Sequence, residues 1–187
     1  MAESNGFIPA HGGYQKLKSF QMSEIVYDAT VKFCGRFISK YSRTTDQMIQ
    51  AARSGRQNIA EGSMASAVSK ESEIKLVGVA RASLEELLLD YQDYLRQHNL
   101  ALWGKDDPRA AQVRAVGRRP DRSYTTYRPY IEDSPAETAA NTIICLIHQT
   151  NYLLDQQLRQ LEKAFVKGGG LREKMFKARL EERNKSR

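Results

Sequence analysis

Residues 47–62 read QMIQAARSGRQNIAEG, a helical stretch in which Ala51, Ala52, Ser54, Gly55 and Ala60 stand where an amphipathic helix ordinarily carries Leu or Ile. Each buried methylene forgone gives up about 0.8 kcal/mol of hydrophobic stabilisation, and a mid-helix glycine costs about 1 kcal/mol against alanine. A chain that tolerates both losses recovers them where another backbone comes close, with helices packed at the short end of the interaxial range. Two readings follow. The stretch packs tightly inside a helical bundle, or Arg53, Gly55, Arg56, Asn58 and Glu61 also mark a seam with another subunit or a ligand.

The flanking patterns place this stretch in an all-α chain. Before it, Met22, Ile25, Val26, Ala29, Phe33, Phe37 and Tyr41 recur at three- and four-residue steps and predict a first helix from Phe20. The polar break at residues 42–44 is short, so the second helix, with Thr44 and Gln47 spaced as a capping box, returns antiparallel beside the first. It is expected to end near Gly62, a residue suited to a left-handed C-terminal position. A third helix opens with Glu71 and Glu73 and carries Ile74, Val77, Ala80, Leu84, Leu87, Leu88, Tyr91 and Leu95 to about Asn99, with Trp103 closing the core.

Residues 104–133 break the pattern. Asp107 before Pro108 signals a short helix over 108–116, after which Arg, Tyr and Pro dominate, so the segment is expected as a long basic loop, functional or disordered. Ser134, Pro135 and Glu137 then start a fourth helix, with Ser as N-cap, and Ile143, Ile147, Leu154, Leu158, Leu161 and Phe165 form its inner face. Gly168, Gly169 and Gly170 end it, leaving a basic suffix that reads as a detached helix or a disordered tail. The expected architecture is an antiparallel up-and-down four-helix bundle over residues 14–167, with a flexible leader over 1–13 and a basic C-terminal extension over 168–187.

No apolar run approaches the roughly 18 residues of a membrane span, and no apolar segment follows the N-terminus, so a cytoplasmic chain is expected. Cys34 and Cys145 fall in apolar helical segments without a CxxC or Cys/His cluster, which predicts reduced core thiols.

The run Gln47-Met48, Ala51-Ala52, Ser54 and Asn58-Ile59-Ala60-Glu61-Gly62 resembles the Q-I-x-x-A-A-x-S-x-x-x-N-I-A-E-G signature of the four-helix-bundle proteins encoded by intervening sequences in bacterial 23S ribosomal RNA genes. Ser69, Lys70, Glu71, Leu76, Ala80, Ser83-Leu84 and Glu86-Leu87 are similar to that family's next helix, and the likeness covers residues 14–102. Where family members often carry Ile-Pro, this chain has Gly55-Arg56; the basic tail is similar to a variant with a suffix domain. The resemblance implies a ring, typically a homopentamer, without enzymatic chemistry. A related group, the accessory variability determinants of diversity-generating retroelements, implies nucleic acid and a reverse transcriptase as partners.

Catalytic constellations are not visible. His11, His98 and His148 lack ligand spacing, and Glu61, Glu85 and Glu86 lack the Glu-x-x-His repeats of bundle metal sites, so neither metal nor cofactor is expected. Asn58 and Glu61 read instead as at least half-buried polar groups that set helix register or a subunit contact.

Charge is the more informative feature. Residues 104–128 hold seven Lys/Arg against three Asp/Glu and residues 163–187 hold nine against three, so the rest of a +7 chain is slightly acidic. Arg114, Arg118, Arg119, Arg122 and Arg128 alternate with Tyr124, Tyr127 and Tyr130, the mixture of phosphate contacts and stacking surfaces used on single strands. Arg172, Lys174, Lys177, Arg179 and Arg183 extend it into the tail. Nucleic acid, RNA before DNA, is the expected partner. The other readings are a solvated charged surface, or an adaptor that docks Leu171, Met175, Phe176 and Leu180 on a protein.

Overall fold

The computed structural model describes residues 12–185, so the expected leader lies outside the described residues except for Gly12 and Gly13. The chain is all-helical, with no strand among the described residues. A 3-10 turn at Tyr14–Lys16 leads into α1 (Lys18–Phe37), α2 (Arg43–Ala65), α3 (Lys70–Gln97), α4 (Pro108–Val116), α5 (Tyr124–Ile131), α6 (Ala136–Gly168) and α7 (Leu171–Lys185). The four long helices touch in a closed series: α1 against α2, α2 against α3, α3 against α6, and α6 against α1.

The small face of α2 is turned toward α3. A Cβ on Gly55 would lie 2.9 Å from Cγ and Cδ2 of the buried Leu84, and one on Gly62 would lie 3.4 Å from Glu73 O and Leu76 Cβ. Next to Gly55, Ser54 Oγ meets Ser83 Oγ at 3.0 Å. The glycine is thus used for backbone approach within one chain, as the cost of placing it mid-helix demands. The resulting core joins Phe33, Met48, Ile59, Leu84, Leu87, Tyr91, Ile143, Leu146 and Leu154. Tyr91 is fully buried at no polar cost, because its hydroxyl donates to Thr30 Oγ1 at 3.1 Å. Cys34 and Cys145 are buried free thiols, as expected.

Local differences from the sequence expectation have local causes. The cap of α2 is Ser42, whose side chain accepts from Thr44 N, rather than a Thr44–Gln47 box, and the helix runs past Gly62 to Ala65. At α6 the N-cap position is Pro135, because the Ser134 hydroxyl donates to Pro129 O instead of capping the helix. α1 stops at Phe37 with Ile38 extended, which throws Tyr41 off the apolar face to 87% exposure. Phe165 lies beyond Leu161, the last buried residue of α6, and is exposed.

The largest departure concerns residues 104–133, expected as a loop. The short helix expected over 108–116 is α4, but α5 was not legible. Its start is held by a capping box in which Ser123 N donates to Thr126 Oγ1 at 3.0 Å, and its Tyr127 and Ile131, one turn apart, are fully buried. α4 packs on α6 through Ala110 and Val113, and α5 packs on both α1 and α6. Trp103 N donates to Asn141 Oδ1 at 2.8 Å, and the Arg109 guanidinium lies 4.5 Å above the Trp103 ring. Arg36 of α1 closes the far end on the carbonyls of Ile131 and Ser134. The segment is a folded cap over the α1–α6 side of the molecule.

Gly169 takes φ 62°, where a side chain would be strained, and breaks α6 from α7. The suffix is therefore a helix, but it contributes no buried residue.

Candidate nucleic-acid interface

Folding the cap sorts the arginines that the sequence offers as one group. Arg119 is spent on Asp121 at 2.9 Å, and that hydrogen bond holds the Asp121 carboxyl below its ordinary range. Arg128 lies 3.5 Å from Glu132, which also accepts from the Tyr124 hydroxyl at 2.7 Å. Burial and that acceptor raise the Tyr124 phenol well above its usual value. These residues knit the cap together.

Arg114, Arg118 and Arg122 behave differently: they converge on a groove of about 470 Å³ between α1, the end of α4 and α6. Lys18, the first residue of α1, joins them, so four permanent cations line a groove to which no carboxylate contributes. The side chains of Lys18 and Arg118 are exposed and have no hydrogen-bond or ion-pair partner among the described residues. Arg114 reaches back to Lys105 O at 2.7 Å, and Arg122 donates to Arg119 O at 3.2 Å and to Gln21 Oε1 at 3.4 Å. Met22 and Leu153 supply apolar lining, while Tyr152 presents its ring at 63% exposure.

α6 delivers His148, Gln149 and Tyr152 to this groove. The Gln149 amide donates to Arg114 O at 3.0 Å and lies across the end of α4. A Cβ at position 117 would come within 2.4 Å of Gln149 Oε1, so a side chain there would displace the Gln149 amide from the end of α4. The packing of α4 on α6 through Ala110 and Val113 brings Arg114 and Arg118 to the same wall as Tyr152.

Tyr127 corrects the expectation most clearly. It was expected as a stacking surface, but its ring is fully buried under α5 and its hydroxyl has no hydrogen-bond partner among the described residues. Burial pushes its phenol up to about 12, with Arg122 opposing. It cannot meet a base. Tyr152, which sequence patterning assigned to nothing, is the exposed aromatic beside the cations instead. Lys18, His148 and Gln149 were missed for the same reason: each looks like ordinary helix surface until α4 docks.

The tail residues Arg172, Lys174, Lys177, Arg179 and Arg183 all lie on α7. The lowered Glu71 carboxyl owes most to Lys75 and a little to Arg172 at the start of α7. None of the five tail residues lines the groove of Arg114, Arg118 and Arg122.

The residues of the expected seam separate as well. Gly55 faces Leu84 inside the chain, and Asn58 Nδ2 donates to Ser54 O at 2.9 Å along its own helix. The Arg56 guanidinium lies 4.3 Å above the Tyr27 ring. Arg53 and Glu61 are exposed, so Glu61 is not the buried register group expected from sequence. The face between α2 and α3 carries Asp46, Glu86 and Asp90 around Ser54 and Ser83. Burial, then Asp93 and Glu86, raise the Asp90 carboxyl, and the cluster of acidic side chains makes this side oppose phosphate.

Among the described residues no helix is long and apolar enough to cross a membrane, and no group of His, Cys, Asp and Glu is placed to hold a metal ion. Comparison of the chain with protein-family models, with curated proteins and with solved structures finds no match.

Proposed function

We propose that this protein is a non-enzymatic, ring-forming four-helix bundle that binds nucleic acid, RNA in the first instance, through the basic side built by α1, α4 and α6. The observation that carries the proposal is the convergence of Lys18, Arg114, Arg118 and Arg122 on one groove whose lining holds no carboxylate. Phosphate neutralisation supplies most sequence-independent affinity for nucleic acid, and clustered cations concentrate it.

An up-and-down antiparallel arrangement accounts for the residue pairs between neighbouring helices. Ser54 and Gly62 of α2 meet Ser83 and Leu76 of α3, so positions rise along one helix as they fall along the other. Arg81 and Glu85 of α3 meet Asp155 and Asn151 of α6 in the same opposed sense. Ring assembly follows from the resemblance of residues 47–62 to the intervening-sequence bundles, with the exposed Arg53 and Glu61 of α2 available for the seam. A ring repeats the groove and raises avidity without new contacts. A reverse transcriptase, the protein partner that the resemblance implies, belongs to the same proposal, as does a cytoplasmic setting.

The test is titration of a labelled single-stranded RNA at two salt concentrations, with light scattering on the same sample. The expected result is an oligomer whose affinity falls with salt at a log-log slope of about −0.7 per phosphate contacted. A slope near zero, or no binding at low salt, would overturn the nucleic-acid reading.

A further inference from the structure

We propose that the groove between α1, α4 and α6 holds one unstacked nucleotide unit, with its base against Tyr152 and its phosphate among Lys18, Arg118 and Arg122. The inference deepens the nucleic-acid reading above and rests on it for the strand, while the groove itself is chemically suited to a free nucleotide. Three observations lead there.

The first is size. A space of about 470 Å³ falls within the range of pockets for small ligands, roughly 300–1,000 Å³, and suits a single nucleotide better than a base pair. The second is the division of its lining into two chemistries. Met22, Leu153 and the face of Tyr152 make an apolar surface for a planar base, and Lys18, Arg118 and Arg122 make a cationic one for a phosphate. A site for phosphate alone needs no such apolar wall, and a site for an apolar ligand would not gather four cations.

The third is that the two parts belong to different elements, so their meeting is built by the fold. Tyr152 comes from α6, Arg118 from the turn that follows α4, Arg122 from the link to α5, and Lys18 from the first position of α1. The packing of α4 on α6 sets the first two side by side. Lys18 and Arg118 stay exposed and uncommitted, whereas Arg119 and Arg128 nearby are paired with carboxylates. A base can reach this groove only when it is out of a stack, which makes the site selective for single strands over duplex.

Calorimetric titration of the full-length protein with a nucleoside monophosphate, the matching nucleoside and inorganic phosphate tests the two-part site. The monophosphate should bind more tightly than either fragment. Tyr152→Ala, at an exposed position, should weaken the monophosphate by about tenfold and leave inorganic phosphate unaffected; Arg118→Glu should weaken both. Thermal melting checks that each variant is folded. Equal binding of monophosphate and inorganic phosphate would overturn the proposal, as would a Tyr152→Ala variant with unchanged monophosphate affinity.

The same variants against single-stranded RNA separate the two claims. RNA binding that is untouched by Tyr152→Ala overturns the nucleotide groove and leaves the broader reading standing. Monophosphate binding without RNA binding supports the groove and overturns the broader reading.

Discussion

The cap over residues 104–133 and the suffix helix α7 start from similar material and end differently. Both are basic, both are punctuated by scattered apolar residues, and both lie outside the long-helix core. In the cap, Ala110, Val113, Tyr127 and Ile131 are buried against α1 and α6, and the cations are divided between internal pairs and one groove. In α7, Met175, Phe176 and Leu180 are exposed and nothing is buried. Net charge alone therefore says little about a binding site. What matters is whether apolar anchors hold the cations in a fixed geometry, because fixed donors lose less entropy on binding than mobile ones.

The sharpest way to break this contrast is to remove one anchor from each region. Ile131→Ala should destabilise the protein by about 2–5 kcal/mol, the usual range for emptying a buried aliphatic site, whereas Phe176→Ala should stay within about 0.5 kcal/mol. Chemical denaturation of the two variants reads this directly. Comparable losses would mean that α7 is docked as firmly as the cap.

A smaller effect of opposite sign is expected at Tyr127. Its hydroxyl is buried without a partner, so Tyr127→Phe relieves an unsatisfied polar group and should stabilise the chain by about 1 kcal/mol. It should also flatten the alkaline end of the stability profile. The folded phenol, at about 12, lies above its unfolded value near 10, so stability that is full below pH 10 is lost as pH rises toward 12. RNA affinity should not change. A loss of affinity in Tyr127→Phe would return this residue to the interface expected from sequence.

How far the sequence reveals this molecule depends on the length over which a pattern repeats. The faces of α1, α3 and α6 were legible because apolar residues recur over several turns, and the small face of α2 because so many small residues coincide. α5 was not, since an eight-residue helix with Tyr127 and Ile131 as its two buried positions offers one repeat of the period, surrounded by Arg, Thr and Pro. Its stability comes from docking, which no local pattern encodes. The site divides along the same line. Arg114, Arg118 and Arg122 stood out through the density of charge around them. Lys18, His148, Gln149 and Tyr152 are surface residues of long helices, and they become a wall only when α4 settles on α6 and the Gln149 amide donates to Arg114 O.

The central claim is that cations organised by the cap, rather than cations on the tail, bind nucleic acid. Charge reversal at one position of each kind tests it most directly, by measuring single-stranded RNA affinity for Arg118→Glu and Lys177→Glu at one low salt concentration. The account predicts a loss of about tenfold or more for Arg118→Glu, in the range of a charged group that meets phosphate in a shaped site, and a loss of about threefold or less for Lys177→Glu. Equal losses, or a larger loss from the tail variant, would contradict it.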